Sequence, residues 1–163
     1  MPHPWSIIEV LLLLALANGC PIAAKRLLGN HFSFPLDCGA IFLDGQPVFG
    51  ASKTIRGIVV ALLVTAFGGF LLTESWALGL VVGSASMVGD LLSSFVKRRL
   101  GFPPSAQATG LDQIFEVVLP ALAVMPLLSL TWIDVLAIIV LFFVGEIVLS
   151  KWLLRLGFRD HPY

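Results

Sequence analysis

Charged and hydroxylated residues at the end of one apolar segment have the spacing of a helical face. Asp90, Ser94, Lys97 and Arg98 stand at positions i, i+4, i+7 and i+8, so a helix places them on one side. Asp90 lies about two turns inside the apolar segment, where a carboxylate is costly unless it has a partner. We interpret Asp90 as a ligand for a cation or a substrate. The structural alternative is an ion pair with Lys97 or with a neighbouring helix.

A second pair of acidic residues follows a loop in which two prolines and Gly110 exclude a continuous helix. Asp112 stands where the next apolar segment begins, and Glu116 lies one turn further in. Taken alone, Asp112 is equally well interpreted as a helix N-cap. Beside Asp90 at the same membrane depth, it is a candidate second ligand for Mg²⁺, which binds one or two carboxylates together with phosphates and water.

Basic residues in an earlier loop offer a site for anions. If Ser52 caps the following helix, Lys53 and Arg56 lie on its first turns, three residues apart and on one face. A helix N-terminus attracts anions through its dipole, and the two basic side chains add charge. The alternative is membrane anchoring or contact with lipid headgroups, which we adopt for Lys25 and Arg26.

The sequence thus offers two carboxylates for a metal and five basic groups for phosphates, including those of the third segment. This combination favours phosphoryl or nucleotidyl transfer. Other chemistries lack their residues. The histidines His3, His31 and His161 are scattered, no zinc cluster or Ser-His-Asp set is present, and the Gly-rich phosphate loop of soluble nucleotide-binding folds is absent.

Composition identifies where this chemistry takes place. The chain has 163 residues, of which 58% are hydrophobic and 12% charged, and its mean hydropathy is +0.97. A soluble domain carries about a quarter charged residues. The net charge of zero indicates no nucleic-acid partner, and Cys20 and Cys38 cannot build a disulfide framework. We expect an all-α integral membrane protein with a single transmembrane domain over residues 1–163.

Five apolar segments approach the ~20 residues that a membrane-spanning helix needs. They cover about Trp5–Ala24, Gly57–Thr73, Trp76–Phe95, Ile114–Leu130 and Trp132–Leu149. Five spans place both long loops (25–56 and 97–113) and the C-terminal tail, with Lys151, Arg155 and Arg159, on one side, which then carries all ten basic residues. The positive-inside rule makes this side cytoplasmic and leaves the N-terminus outside. We therefore expect a multi-pass protein of the cytoplasmic membrane with its active site at the cytoplasmic face.

Small residues in the third segment, Gly79, Gly83 and Gly89 among them, predict that this helix packs closely against its neighbours.

Residues 49–57 read FGASKTIRG, and residues 89–101 read GDLLSSFVKRRLG. These stretches resemble the FGxxKTxRG and GDxxxSFxKRRxG motifs of the CDP-archaeol synthases, which are small five-span relatives of the bacterial phosphatidate cytidylyltransferases. Further similarities, in the family's order, are Asn18 and Pro21 (Asn-x-x-Pro), residues 43–45 (Leu-Asp-Gly) and residues 111–113 (Leu-Asp-Gln). The two long motifs together are specific.

The resemblance implies transfer of CMP from CTP to a lipid phosphate, 2,3-bis-O-geranylgeranylglycerol 1-phosphate, with Mg²⁺ and release of pyrophosphate. It makes Asp90 and Asp112 metal ligands, and Glu116 is our own candidate for a third. It assigns the triphosphate and the leaving pyrophosphate to four basic residues: Lys53, Arg56, Lys97 and Arg98. Ser94 would hydrogen-bond a phosphate or a metal-bound water, and Asp44 and Thr54 would also contribute to substrate binding. The expected partners are CTP and a membrane lipid phosphate, with a homodimer left open.

Three positions depart from the family pattern. Related enzymes carry a second Asp three positions after Asp112, where this chain has Phe115 followed by Glu116. Ile55 replaces a common Trp, and Gln46 replaces a Lys or Arg. We expect Glu116 to replace the missing acid from one residue further along the helix.

Two alternatives stay open at this point. The first is the same reaction on phosphatidic acid or another lipid phosphate, because apolar residues that line an acyl path do not identify the lipid. The second is a small anion transporter or a non-catalytic membrane subunit. A transporter carries polar groups through the midplane and on both sides, whereas here the predicted outer half has few.

Overall fold

The computed structural model describes residues 3–104, 106, 108 and 110–155. Within these residues the chain forms five helices: α1 (Pro4–Leu28), α2 (Ile55–Thr73), α3 (Trp76–Arg99), α4 (Leu111–Val124) and α5 (Trp132–Arg155). The predicted all-α class is confirmed. Arg159 and His161 lie outside the described residues, as do the side chains of Lys151 and Arg155.

The helices have the length and surface of membrane segments. Over the described residues, α1, α2 and α3 are each long and apolar enough to cross a bilayer. Large apolar side chains face outward, for example Leu63, Leu71 and Leu136. Such a surface suits lipid rather than water, so the chain is an integral membrane protein. The count of five spans and their orientation remain predictions.

The fourth helix differs from its predicted bounds. It begins at Leu111 and ends at Val124, whereas the apolar pattern predicts a span over Ile114–Leu130. Its 14 residues cover about 21 Å at 1.5 Å per residue, less than the ~30 Å hydrocarbon core. Pro126 has no N–H with which to continue the hydrogen-bond ladder of the helix, although Met125 before it keeps helical angles, φ −50° and ψ −50°. The connection to α5 is accordingly longer than predicted, with turns over residues 125–129.

α3 is the central helix, and it packs against α1, α2 and α4, while α5 packs on α4 and α1. The core contains fully buried Leu13 from α1, Val82 from α3, Val124 from α4 and Ile138 from α5.

Glycines let the backbones of α3 and its neighbours approach closely, as predicted. A Cβ on Gly79 would lie 2.0 Å from the carbonyl oxygen of Thr65 on α2. A Cβ on Gly89 would lie 2.1 Å from the carbonyl oxygen of Phe115 on α4. Neither position can carry a side chain without moving a helix.

The Gly89 contact can be tested by adding one methyl group. Replacing glycine by alanine inside a helix normally stabilises it by about 1 kcal/mol, but at Gly89 the methyl group meets backbone. We expect Gly89→Ala to lower stability by about 1–3 kcal/mol, measured by thermal unfolding in detergent. The matched control is Gly145→Ala, where nothing lies within 4 Å of the added carbon. Equal melting temperatures for the two variants would contradict the close contact.

Candidate active site

Three elements meet at one end of the bundle, which we call the loop end: the C-terminus of α3, the N-terminus of α4 and the loop of residues 29–54. The close approach at Gly89 brings the first two together. As a result Asp90 of α3 lies against Glu116 of α4. Most of the predicted site residues therefore belong to one region.

Lys53 reaches this region from the loop and forms an ion pair with Asp90. The Lys53 and Asp90 side chains are only 20% and 22% exposed. Backbone hydrogen bonds hold Lys53 in place, since its carbonyl accepts from Leu36 N at 2.8 Å and its N–H donates to Gly50 O at 3.1 Å. The pair joins the loop to the charged face of α3.

A second ion pair joins α3 to α4. Lys97 Nζ lies 2.8 Å from Asp112 Oδ1, and it also donates to the carbonyl of Ala106 at 3.1 Å. Asp112 Oδ2 in turn accepts from the N–H of Ala108 at 3.1 Å. Asp112 is therefore not the N-cap, which is Gly110, although its carboxylate still satisfies a backbone donor just before the helix.

Arg98 is a buried cation with unused hydrogen-bond donors. Arg98 is only 2% exposed, and neither its Nε nor its Nη1 has a hydrogen-bond acceptor. Its Nη1 lies beside Gly50 of the loop, 3.7 Å from where a Cβ on that glycine would be. Burying a guanidinium with donors unused costs free energy, and an anion at this place would supply the missing acceptors.

Two of the three predicted metal ligands, Asp90 and Glu116, lie close together, and Glu146 of α5 is also near Glu116. Neighbouring carboxylates repel unless a cation accompanies them. Lys53 provides that cation here. The two acids also match the one or two carboxylates that Mg²⁺ uses in proteins. Asp112 is engaged by Lys97, and the described part of the chain contains no group of three His, Cys, Asp or Glu side chains placed to hold a metal.

The predicted cap of α2 is wrong, because Thr54 and not Ser52 caps it. Thr54 Oγ1 accepts from Gly57 N at 3.2 Å. Lys53 therefore precedes the helix, and Arg56 within the first turn does not join it. Arg56 donates instead to the carbonyls of Gly29, at 3.0 Å, and His31. The expected anion site on this helix face is not assembled.

Two further predicted binders, Ser94 and Asp44, lie in different surroundings. Ser94 is buried on α3, one turn after Asp90. Asp44 lies on an exposed turn, where it forms an ion pair with Arg99 at 2.6 Å. Lys25 and Arg26 lie in the last turn of α1 rather than in the loop.

Sequence reasoning missed Asp37, which organises the loop. Its carboxylate accepts from the N–H groups of Phe49 (2.9 Å), Gly50 (2.8 Å) and Gly39 (3.1 Å). The Asp-x-Gly spacing of residues 37–39 is a turn signal that could have indicated one of these bonds. The other two cross 12 and 13 residues, and no local pattern predicts them.

Comparison with known proteins identifies the relatives of this chain. The family model described as CarS-like: CDP-archaeol synthase matches residues 7–163. A CDP-archaeol synthase of Saccharolobus islandicus (strain Y.N.15.51 / Yellowstone #2) is 35% identical over 130 residues, which are 76% of this chain and 74% of the relative. One of Pyrobaculum calidifontis is 37% identical over 113 residues, 66% of each chain.

One solved structure shares the fold. It is described as "Structural insight into an intramembrane enzyme for archaeal membrane lipids biosynthesis". The match has a TM-score of 0.70 and 24% identity, and covers 86% of this chain and 92% of that one. The helical arrangement of this chain is therefore that of a known fold.

The contacts of Asp37 predict a pH-dependent loop. Burial raises the pKa of its carboxyl, but the N–H donors of Phe49, Gly50 and Gly39 outweigh burial and lower this pKa below its ordinary value. Its contribution to loop stability is therefore present above the ordinary carboxyl pKa of about 4 and is lost as the pH falls through the lowered pKa. We expect Asp37→Asn to speed amide hydrogen exchange at residues 49 and 50 already at pH 7.

The control for this variant is Glu74→Gln, an exposed acid at the opposite end of α2. It should leave exchange in the loop unchanged. If the amides of residues 49 and 50 exchange as slowly in Asp37→Asn as in the wild type at pH 7, the Asp37 carboxylate does not organise the loop.

Proposed function

The chain belongs to the CDP-archaeol synthase family, and on that premise we propose that it transfers CMP from CTP to a membrane lipid phosphate and releases pyrophosphate. The acceptor we propose is the geranylgeranyl ether lipid phosphate of the family. We place the loop end on the cytoplasmic side, where CTP is available.

The observation that supports this proposal most directly is the buried guanidinium of Arg98. It has unused donors, and the ion-paired lysines Lys53 and Lys97 belong to the same loop end. A triphosphate brings many oxygen acceptors at once, and phosphoryl-transfer enzymes act mainly by positioning and by neutralising charge. A site with one unsatisfied cation and two neutralised ones suits that ligand.

In the proposed reaction the lipid phosphate oxygen attacks the α-phosphorus of CTP in line with the leaving pyrophosphate. Arg98 would bind phosphate oxygens with its free Nε and Nη1 donors. Lys53 and Lys97 are paired with Asp90 and Asp112 in the structure. When the triphosphate binds, each ammonium group would donate some of its hydrogen bonds to phosphate oxygens instead. The carboxylates keep both ammonium groups oriented before substrate binds, which lowers the entropic cost of assembling the site.

Mg²⁺ is part of this proposal. Asp90 and Glu116 would hold it, since they are neighbouring acids on α3 and α4, with Asp112 as the third predicted ligand. When bound, the metal would neutralise triphosphate oxygens and polarise the α-phosphate. Ser94, buried one turn after Asp90, would donate to a phosphate or to water at the metal.

The other residues predicted to bind substrate form contacts within the protein that indicate a structural role. Thr54 caps α2 and Arg56 holds loop carbonyls. Asp44 is engaged by Arg99. We therefore propose that these residues affect substrate binding through the shape of the loop, while direct contact is left to Arg98 and the two lysines.

The test of the function is transfer from labelled CTP by the purified protein in detergent, with and without Mg²⁺. Two acceptors are compared: the geranylgeranyl ether lipid phosphate and dioleoyl phosphatidic acid. We expect CDP-lipid from the ether substrate, only with Mg²⁺. Product from the diacyl lipid alone would support CMP transfer but contradict the proposed acceptor. No product from either lipid would favour the non-enzyme alternative.

The role of Arg98 predicts a specific kinetic effect. Removing a charged hydrogen-bonding group typically costs about 1.5–3 kcal/mol, so Arg98→Gln should weaken CTP binding by roughly 10- to 100-fold. The lipid KM should change little. Lys25→Gln is the matched control, because it removes an exposed cation from the same end of the bundle. An Arg98→Gln enzyme with the wild-type KM for CTP would remove Arg98 from the nucleotide site.

Asp90 provides the complementary test. Asp90→Asn keeps the shape of the side chain and removes its charge, so the protein should still insert and fold while turnover falls below detection. Near-normal activity of this variant, with unchanged thermal unfolding, would exclude Asp90 from the metal site.

A further inference from the structure

Arg99 is the last residue of α3. In the described part of the chain, its side chain forms more polar and aromatic contacts than that of any predicted site residue. Its Nε lies 2.6 Å from Asp44 Oδ2, and its Nη2 donates to the carbonyl of Pro47 at 2.6 Å. Its guanidinium carbon also lies 4.8 Å from the ring centre of Phe42 and 4.6 Å from that of Phe95. The side chain thus combines an ion pair, a backbone hydrogen bond and cation–π contacts.

All but one of these partners belong to a small hairpin, residues 41–47, which we call the 41–47 hairpin. A backbone bridge between Ile41 and Pro47 closes it. Phe42 N donates to Gln46 O at 2.8 Å, and Asp44 Oδ1 accepts from Gln46 N at 3.1 Å. Phe42 also packs edge-on against Phe95 of α3, with ring centres 5.3 Å apart. The hairpin is therefore attached to α3 mainly through Arg99 and the two rings.

Arginine is specifically suited to this task. An exposed ion pair contributes about 0–1 kcal/mol, and Asp44 is 38% exposed, so charge alone would not fix the hairpin. A guanidinium can bond two acceptors in its plane and stack on aromatic rings at the same time, which an ammonium cannot do.

The 41–47 hairpin borders a cavity beside Arg98. Ile41 and Pro47 line a cavity of about 320 Å³, together with Asp37, Gly50 and Pro104, and it is open to the surface, since Ile41 is 69% exposed. This is within the ~300–1,000 Å³ typical of small-molecule sites. Gly50 is shared between the cavity and the unsatisfied guanidinium, because the Nη1 of Arg98 lies next to it. The cavity and the candidate phosphate site are thus adjacent.

We propose that Arg99 is a positioning residue that holds the 41–47 hairpin as one wall of the nucleotide site. The nucleoside of CTP would occupy the cavity while its phosphates reach Arg98. This inference rests on the proposed function for the identity of the ligand. In this proposal Arg99 acts through the hairpin: it sets the affinity for CTP by fixing the place of Pro47 and Ile41, while its Nη1, like that of Arg98, has no hydrogen-bond partner in the structure.

The experiment measures equilibrium binding of CTP, the kinetics of transfer and amide hydrogen exchange on the same variants. Arg99→Gln should weaken CTP binding roughly tenfold and raise the KM for CTP in proportion, with kcat and the lipid KM within about threefold. Arg99→Lys should behave like Arg99→Gln rather than like wild type. Asp44→Asn added to Arg99→Gln should cost little more, since both changes release the same hairpin.

Hydrogen exchange tests the attachment without any substrate. Arg99→Gln should speed exchange at the amides of Phe42 and Val48, which bond to Gln46 O and Ala40 O in the wild type. The matched control is Arg26→Gln, an exposed arginine at the same end of the bundle in the last turn of α1. It should change neither exchange in the hairpin nor CTP binding.

The outcomes separate this inference from the proposed function. Unchanged exchange in Arg99→Gln would show that Arg99 does not hold the hairpin. Faster exchange with unchanged CTP binding would show that the hairpin is no part of the nucleotide site. Either result overturns the inference, even if CMP transfer is demonstrated. Wild-type protein that binds CTP but transfers nothing would overturn the proposed function, while the predicted loss of CTP binding in Arg99→Gln would still support the inference.

Discussion

The close approach of α3 and α4 at Gly89 is the contact on which the site depends. The carbonyl of Phe115 lies where a Cβ on residue 89 would be, so the two backbones meet directly. The next residue on each helix is an acid, Asp90 on α3 and Glu116 on α4, and the two are brought into contact. Further along the same pair of helices, Lys97 meets Asp112. Any side chain at residue 89 would separate both sets of charges.

Charge balance explains why the site can exist at a membrane boundary. Isolated charges are expensive there, and each predicted metal-binding aspartate is accompanied by a lysine: Lys53 for Asp90 and Lys97 for Asp112. The lysines come from different elements, one from the loop and one from α3, so the pairs also fasten the loop end together. Arg98 remains with unused donors. Burial of these donors costs free energy, and a ligand that brings hydrogen-bond acceptors would offset that cost on binding. The empty site can therefore be stable and still favour an anion.

The sequence predicted the helical face of α3 well, because Asp90, Ser94 and Lys97 follow the helical period over a long apolar segment. It also contained a reason why α4 ends early, since Pro126 has no N–H to continue the helical hydrogen-bond ladder. The loop was less predictable. Thr54 and Ser52 are both good caps, and only the structure distinguishes them. Arg99 and Asp37 organise the loop through partners 12 or more residues away, and such pairings leave no periodic trace in the chain.

The departure at Phe115 has a structural reading that links these points. Asp112 and Glu116 are four residues apart and share a face of α4, as residues three apart also do. Phe115 uses its carbonyl for the contact with Gly89, while the acid beside it meets Asp90. Glutamate has one methylene more than aspartate, so a carboxylate one position further along the helix still reaches the α3 partner. We therefore propose that Glu116 supplies the carboxylate that the family pattern places at residue 115, provided that the glycine keeps the helices in contact.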